Sequence, residues 1–90
     1  MSEPSTAAPD PAGDETFLDL KGLNCPLPVL RLAKAVREAA PGTRFRVVAT
    51  DPMAKLDIAH FCRSKGHALL ETSEHEGVLG FLVEAGKAEP

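Results

Sequence analysis

Phe17-Leu18-Asp19-Leu20 alternates apolar and polar positions closely enough to predict a short first strand, ended by Lys21-Gly22. The apolar positions that follow take a helical period. Val29, Leu32, Ala33, Val36 and Ala40 fall at helix-face spacing and form a core-facing stripe, while Arg31, Lys34 and Glu38 occupy the opposite face. The pattern predicts a helix that opens at Pro26, runs to about Ala39 and is stopped by Pro41-Gly42. Residues 44–50 (RFRVVAT) are rich in β-branched and aromatic side chains and read as a strand. It ends in Asp51-Pro52, where Asp can cap and Pro suits the first position of a second helix, residues 53–65. That helix carries Ala54, Ile58, Phe61 and Cys62 on one face and is closed by Gly66. Residues 67–73 (HALLETS) and 78–84 (VLGFLVE) read as two strands joined as a hairpin by the four-residue turn Glu74-His75-Glu76-Gly77.

The order βαβαββ implies an α+β fold. Two helices with one apolar face each must cover one side of a four-stranded mixed sheet, a two-layer α/β sandwich. Right-handed crossovers put both helices on the same face, leaving the other solvated or open to a partner. Phe17, Phe45, Phe61 and Phe81 are expected at core positions.

Composition trims this domain at both ends. Residues 1–16 hold three of the eight prolines (Pro4, Pro9, Pro11) and four acids (Glu3, Asp10, Asp14, Glu15), with no Lys, Arg, Val, Ile, Leu or Phe. Such a stretch is expected to be a disordered tail, because it has too little apolar surface to offset the entropy of ordering. Residues 17–85 are then the folded domain, near the lower size limit for a single sufficient core, and 86–90 a flexible C-terminus. The whole chain carries −3, and residues 1–16 hold four acids and no base, so the remainder is near neutral at +1. A near-neutral domain has no electrostatic footprint for generic nucleic-acid binding. No apolar run approaches the roughly 18 residues that span a bilayer, and the N-terminus has no secretory pattern. A cytoplasmic protein without membrane or direct nucleic-acid partners is expected, acting as a monomer. In that compartment Cys25 and Cys62 are not expected to form a structural disulfide. With His60, His67 and His75 they lack the tight spacing of a zinc site, so neither metal nor cofactor is expected.

The candidate chemistry centres on Cys25, immediately before the first helix. A thiol is nucleophilic when ionised, and a helix N-terminus favours the thiolate through unpaired N–H groups and the positive end of the dipole. Pro26 and Pro28 fix φ and lack N–H groups, so helix initiation is rigid and only the Leu27 N–H is expected to reach the sulfur. Gly22 completes the loop. Lys21, Arg31 and Lys34 are expected nearby, where positive charge would stabilise a thiolate and steer acidic partners. No general base can be assigned to Cys25 from the sequence, and position 28 is proline, so the second cysteine of a C-x-x-C pair is absent. A lone exposed nucleophile of this kind suits a carrier better than a catalyst. The competing reading is a buried, inert cysteine at the helix start.

Leu18-Asp19-Leu20-Lys21-Gly22-Leu23-Asn24-Cys25-Pro26-Leu27-Pro28, the Asp51-Pro52 start of the second helix, and Asp57-Ile58 through Phe61-Cys62 resemble the TusA/SirA family of small sulfur-carrier proteins. The resemblance runs from about Phe17 to Glu84 and rests chiefly on the C-P-x-P element. It implies the same βαβαββ fold and matches Cys25 to the family's sulfur-accepting cysteine. Sulfane sulfur would come from a cysteine desulfurase or a rhodanese-type donor, reside on Cys25 as a persulfide, and pass to an acceptor protein. In relatives the acceptors feed tRNA thiolation, molybdenum-cofactor-related work or dissimilatory sulfur metabolism. The alternatives are a non-catalytic regulatory or interaction module, and a thiol redox protein forming mixed disulfides at Cys25. Cys62, on the apolar stripe, is read as an inert core thiol rather than a second sulfur site. Met53, Leu56 and His60 share a second stripe that is either a mildly apolar surface or a docking patch.

Overall fold

In the computed structural model, which describes residues 15–86, β1 (Glu15–Leu20), α1 (Leu27–Arg37), β2 (Arg44–Ala49), α2 (Met53–Lys65), β3 (Ala68–His75) and β4 (Val78–Glu84) follow in the predicted order. They build one four-stranded sheet in the order β1-β2-β4-β3, with β1 and β2 parallel and the other two pairings antiparallel. Parallel neighbours joined in sequence require a crossover, whereas antiparallel ones can be joined by a hairpin, so α1 links β1 to β2 and a tight turn links β3 to β4. Because both helices follow parallel strands, their N-termini emerge beside one another at the C-terminal ends of β1 and β2.

Period-two alternation sends Phe45, Val47 and Ala49 of β2 into the core, where Leu79, Phe81 and Val83 of β4 flank them. The helices close this face with Pro28, Leu32 and Val36 from α1 and with Ala54, Ile58 and Cys62 from α2. On the opposite face Arg46, at the middle of β2, pairs with Glu71 at 3.3 Å and Glu15 at 3.8 Å. No helix among the described residues is long and apolar enough to cross a membrane.

Several boundaries and faces differ from expectation. β1 begins at Glu15, two residues inside the expected tail, because parallel pairing extends to Glu15 opposite Arg44 and Thr16 opposite Phe45. The remaining tail positions, 1–14, and positions 87–90 lie outside the described residues. Phe17 is not a core residue but 61% exposed. Strand parity gives the inward positions to Leu18 and Leu20, so Phe17 stands on the outer face in register with Arg46. The buried stripe of α1 is also rotated. Val29 and Ala33 are only half-buried because they turn toward α2, and Ala40, beyond the helix end, is exposed. Pro26 is the N-cap rather than the first helical residue, with φ of −99°; Leu27 and Pro28 take the first two helical positions. Finally, the hairpin turn is shorter than expected. His75 still pairs with Val78, leaving only Glu76 and Gly77 in the turn, with φ of 52° and 83°. Two left-handed residues give the twist that a two-residue connection needs, and glycine supplies the second without steric cost.

Candidate functional site

The segment between β1 and α1 is held against the connection between β2 and α2. Gly22, at φ 86°, turns the chain, and its N–H donates to Thr50 Oγ1 at 3.0 Å. Further along, the Cys25 N–H donates to Asp51 Oδ2, while the other oxygen of Asp51 accepts the Met53 N–H at 2.9 Å. One carboxylate therefore caps the start of α2 and fixes the backbone at Cys25. The adjacency of the two helix N-termini makes this possible.

Cys25 is exposed, and its Sγ lies 3.0 Å from Asp57 Oδ2, one turn into α2. The thiol donates to the carboxylate. The expected activation by the start of α1 is thus corrected: the Leu27 N–H, which was to reach the sulfur, donates instead to the Asn24 carbonyl at 2.8 Å. Hydrogen bonding to Asp57 is the main cause that pushes the Cys25 thiol above its ordinary pKa, with desolvation and the negative charges of Asp57 and Asp51 adding to it. The expected positive surround is corrected as well. Lys21 Nζ lies 3.8 Å from Asp19, and Lys34 Nζ bonds Glu38 one turn along α1 at 2.8 Å. Arg31 is exposed, and the charges that act on Cys25 are both acidic.

The sulfur opens on a groove between α1 and α2. Pro26, Val29, Leu30 and Ala33 form one wall; Leu56, Asp57, Ala59 and His60 form the other. Leu30 is 55% and Leu56 65% exposed, so the groove has an apolar rim next to the thiol. Of the second stripe anticipated on α2, Leu56 and His60 line this groove, whereas Met53 is exposed but is not part of its lining. Cys62 differs from Cys25 in every respect: it is buried in the core, and burial pushes its thiol up to about 11. Both cysteines are free. Among the described residues no group of three or more His, Cys, Asp or Glu side chains could hold a metal ion.

Sequence reasoning missed the partners of the thiol. Asp57 was noted as part of a motif and Asp51 as a cap, but neither was connected to Cys25, nor Thr50 to the turn at Gly22. The usable signal was topological. Two parallel strands followed by two helices bring the first turn of α2 to the same sheet edge as the loop before α1.

A family model described as "Sulfurtransferase TusA" matches residues 16–85, which span all six elements and the groove. The chain belongs to the TusA family. It is 48% identical over 63 residues to a sulfur carrier protein TusA from Pseudomonas aeruginosa, covering 70% of this chain and 80% of the relative. A sulfur carrier protein TusA from Pseudomonas putida is 46% identical over 69 residues, covering 77% and 86%. Among solved structures, a SirA-like protein from Desulfitobacterium hafniense superposes with a TM-score of 0.70 at 25% identity, covering 79% of this chain and 97% of that one. The α+β sandwich with helices on one sheet face is therefore a fold shared with the SirA-like proteins.

Proposed function

We propose that the chain is a sulfur carrier that holds sulfane sulfur as a persulfide on Cys25, receiving it from one protein and handing it to another. Membership of the TusA family supports the carrier role. The choice of Cys25 rests on one contrast: its thiol is exposed at the mouth of a partly apolar groove, while the other thiol is buried and held protonated.

The chemistry is a displacement at sulfur. Cys25 Sγ attacks the terminal sulfur of a donor cysteine persulfide, the donor's S–S bond breaks, and the electron pair leaves on the donor sulfur. Cys25 becomes a persulfide and the donor is left as a thiol. An acceptor thiol repeats the displacement on Cys25. The cargo is covalent and needs no cofactor, so the protein is a transfer partner rather than a free-standing enzyme. A cysteine desulfurase or a rhodanese-type protein fits as donor, and Leu30 and Leu56 suit a docking rim for it. Two free thiols suit a reducing compartment, the cytoplasm, and a monomer leaves the groove open. tRNA thiolation, molybdenum-cofactor-related work and dissimilatory sulfur metabolism are the pathways such a carrier would serve.

Intact-protein mass spectrometry after incubation with a cysteine desulfurase and cysteine tests the proposal. One added sulfur is expected in the unaltered chain and in Cys62→Ala, and none in Cys25→Ser. Sulfur retained in Cys25→Ser, or a mixed disulfide with no sulfane sulfur, would overturn it.

A further inference from the structure

For Cys25 to attack a persulfide, its thiol must give up a proton, and the site contains two carboxylates. Asp51 is committed: each of its oxygens accepts a backbone N–H, from Cys25 and from Met53. Asp57 is differently placed. Its Oδ2 lies 3.0 Å from Sγ and is aimed at the thiol from the opposite wall of the groove, within the distance a general base requires. Of the other charged groups nearby, Lys21 in the Cys25 loop pairs with Asp19 and Lys34 on α1 pairs with Glu38. His60, Arg63 and Lys65 line the groove later on α2.

We propose that Asp57 is a catalytic residue that takes the proton from Cys25 Sγ as the sulfur bonds to the incoming sulfane atom. This rests on the persulfide reading above. In the loading step the Sγ–S bond forms while the donor's S–S bond breaks. The Sγ proton passes to Asp57 Oδ2 and from there to the departing donor sulfur. The sulfane sulfur keeps its oxidation state throughout, so no oxidant or reductant enters. By microscopic reversibility Asp57 returns a proton to Sγ when an acceptor removes the sulfur.

A carboxylate beside a thiol has two effects of opposite sign, and they can be separated. As a negative charge it suppresses the thiolate; as a base it assists attack. Asp57→Asn removes both at constant shape. Glutathione persulfide serves as the donor probe, because a small molecule needs no protein docking surface. Thiolate is followed by its ultraviolet absorbance and loading by mass spectrometry, both from pH 6 to 8. The expected result is more thiolate at every pH yet about a hundredfold slower loading at the acid end, the low end of what general bases contribute. Asp57→Glu should recover part of the rate. If loading in Asp57→Asn instead rises with the thiolate, or does not change, Asp57 is only an electrostatic neighbour and the proposal fails. If the amide variant proves unstable in thermal unfolding, Asp57→Ser gives the same comparison. A wild-type protein that gains no sulfur from the probe or a desulfurase would sink the persulfide reading itself, a distinct result.

Discussion

Asp51 accepts two N–H groups with two different oxygens, so replacing it by Asn and by Ala removes those bonds stepwise. An aspartate capping the start of a helix is worth about 1 kcal/mol. A hydrogen bond from a backbone N–H to a charged acceptor contributes about 1.5 kcal/mol, less at a half-exposed residue such as this. Asp51→Ala loses both bonds, to Met53 and to Cys25, and should cost about 2 kcal/mol. Asn keeps a single acceptor oxygen and turns an NH2 toward the other N–H, so Asp51→Asn should cost about half as much. In a domain of roughly 70 residues each kcal/mol lowers Tm by about 6 °C, which gives about 12 °C for Ala and about 6 °C for Asn. Thermal unfolding followed by circular dichroism reads both. Amide hydrogen exchange at Cys25 adds a local readout and should quicken in both variants beyond the global change in stability. Equal losses for Asn and Ala would show that the two oxygens do not act separately. Changes of under about 2 °C in both would refute the carboxylate bridge between the two helix starts.

Two further predictions concern Cys62 and the groove. Burial raises the Cys62 thiol to about 11, so the folded state holds this proton more tightly than the unfolded chain. Its stabilisation is complete below the ordinary thiol pKa and is lost as pH climbs toward about 11. The urea-unfolding gap between wild type and Cys62→Ala should narrow by on the order of 2 kcal/mol across that interval, and a constant gap would contradict the burial argument. At the groove rim, Leu56→Glu puts a charge on a side chain that is 65% exposed, so folding should be preserved within about 0.5 kcal/mol. Transfer from a desulfurase should slow severalfold while loading from glutathione persulfide stays unchanged; equal effects on both would remove Leu56 from any docking role.

The fold was legible wherever one element decided its own face. In α2 the face expected to carry Ala54, Ile58, Phe61 and Cys62 does turn inward: Ala54, Ile58 and Cys62 are buried, and Phe61 is half-buried against the core. β2 was legible as a strand from its β-branched and aromatic residues, and its observed burial alternates strictly, with Phe45, Val47 and Ala49 inward. The readings failed where a second element had a say. Phe17 looked like a core aromatic, but the strand has two leucines of the opposite parity and only one parity can face the helices. Val29 and Ala33 belonged to an apolar stripe whose rotation is set by α2, a neighbour invisible in the helix's own pattern. At the site the same limit applies. The position of Cys25 before a helix was legible, and so was its exposure. Its charge environment was not, because Asp57 lies 32 residues away and reaches the sulfur only through the packing of one helix against the other. Reasoning from α1 alone supplied a dipole and three bases, whereas the tertiary structure supplies two acids.

That reversal fits a carrier better than the activated thiolate would. A protein that waits between partners gains nothing from a thiol that reacts with whatever reaches it, and the thiolate is the form that oxidises and exchanges. Asp57 keeps Cys25 in the thiol form while the groove is open to water. A donor seated over Leu30 and Leu56 would cover the thiol and the carboxylate together. One residue can thus hold the proton on the thiol in the open groove and, on the proposal above, accept it during transfer. The arrangement requires the acid to stand across the groove from the cysteine, where a partner covers both together, and that is where α2 holds it.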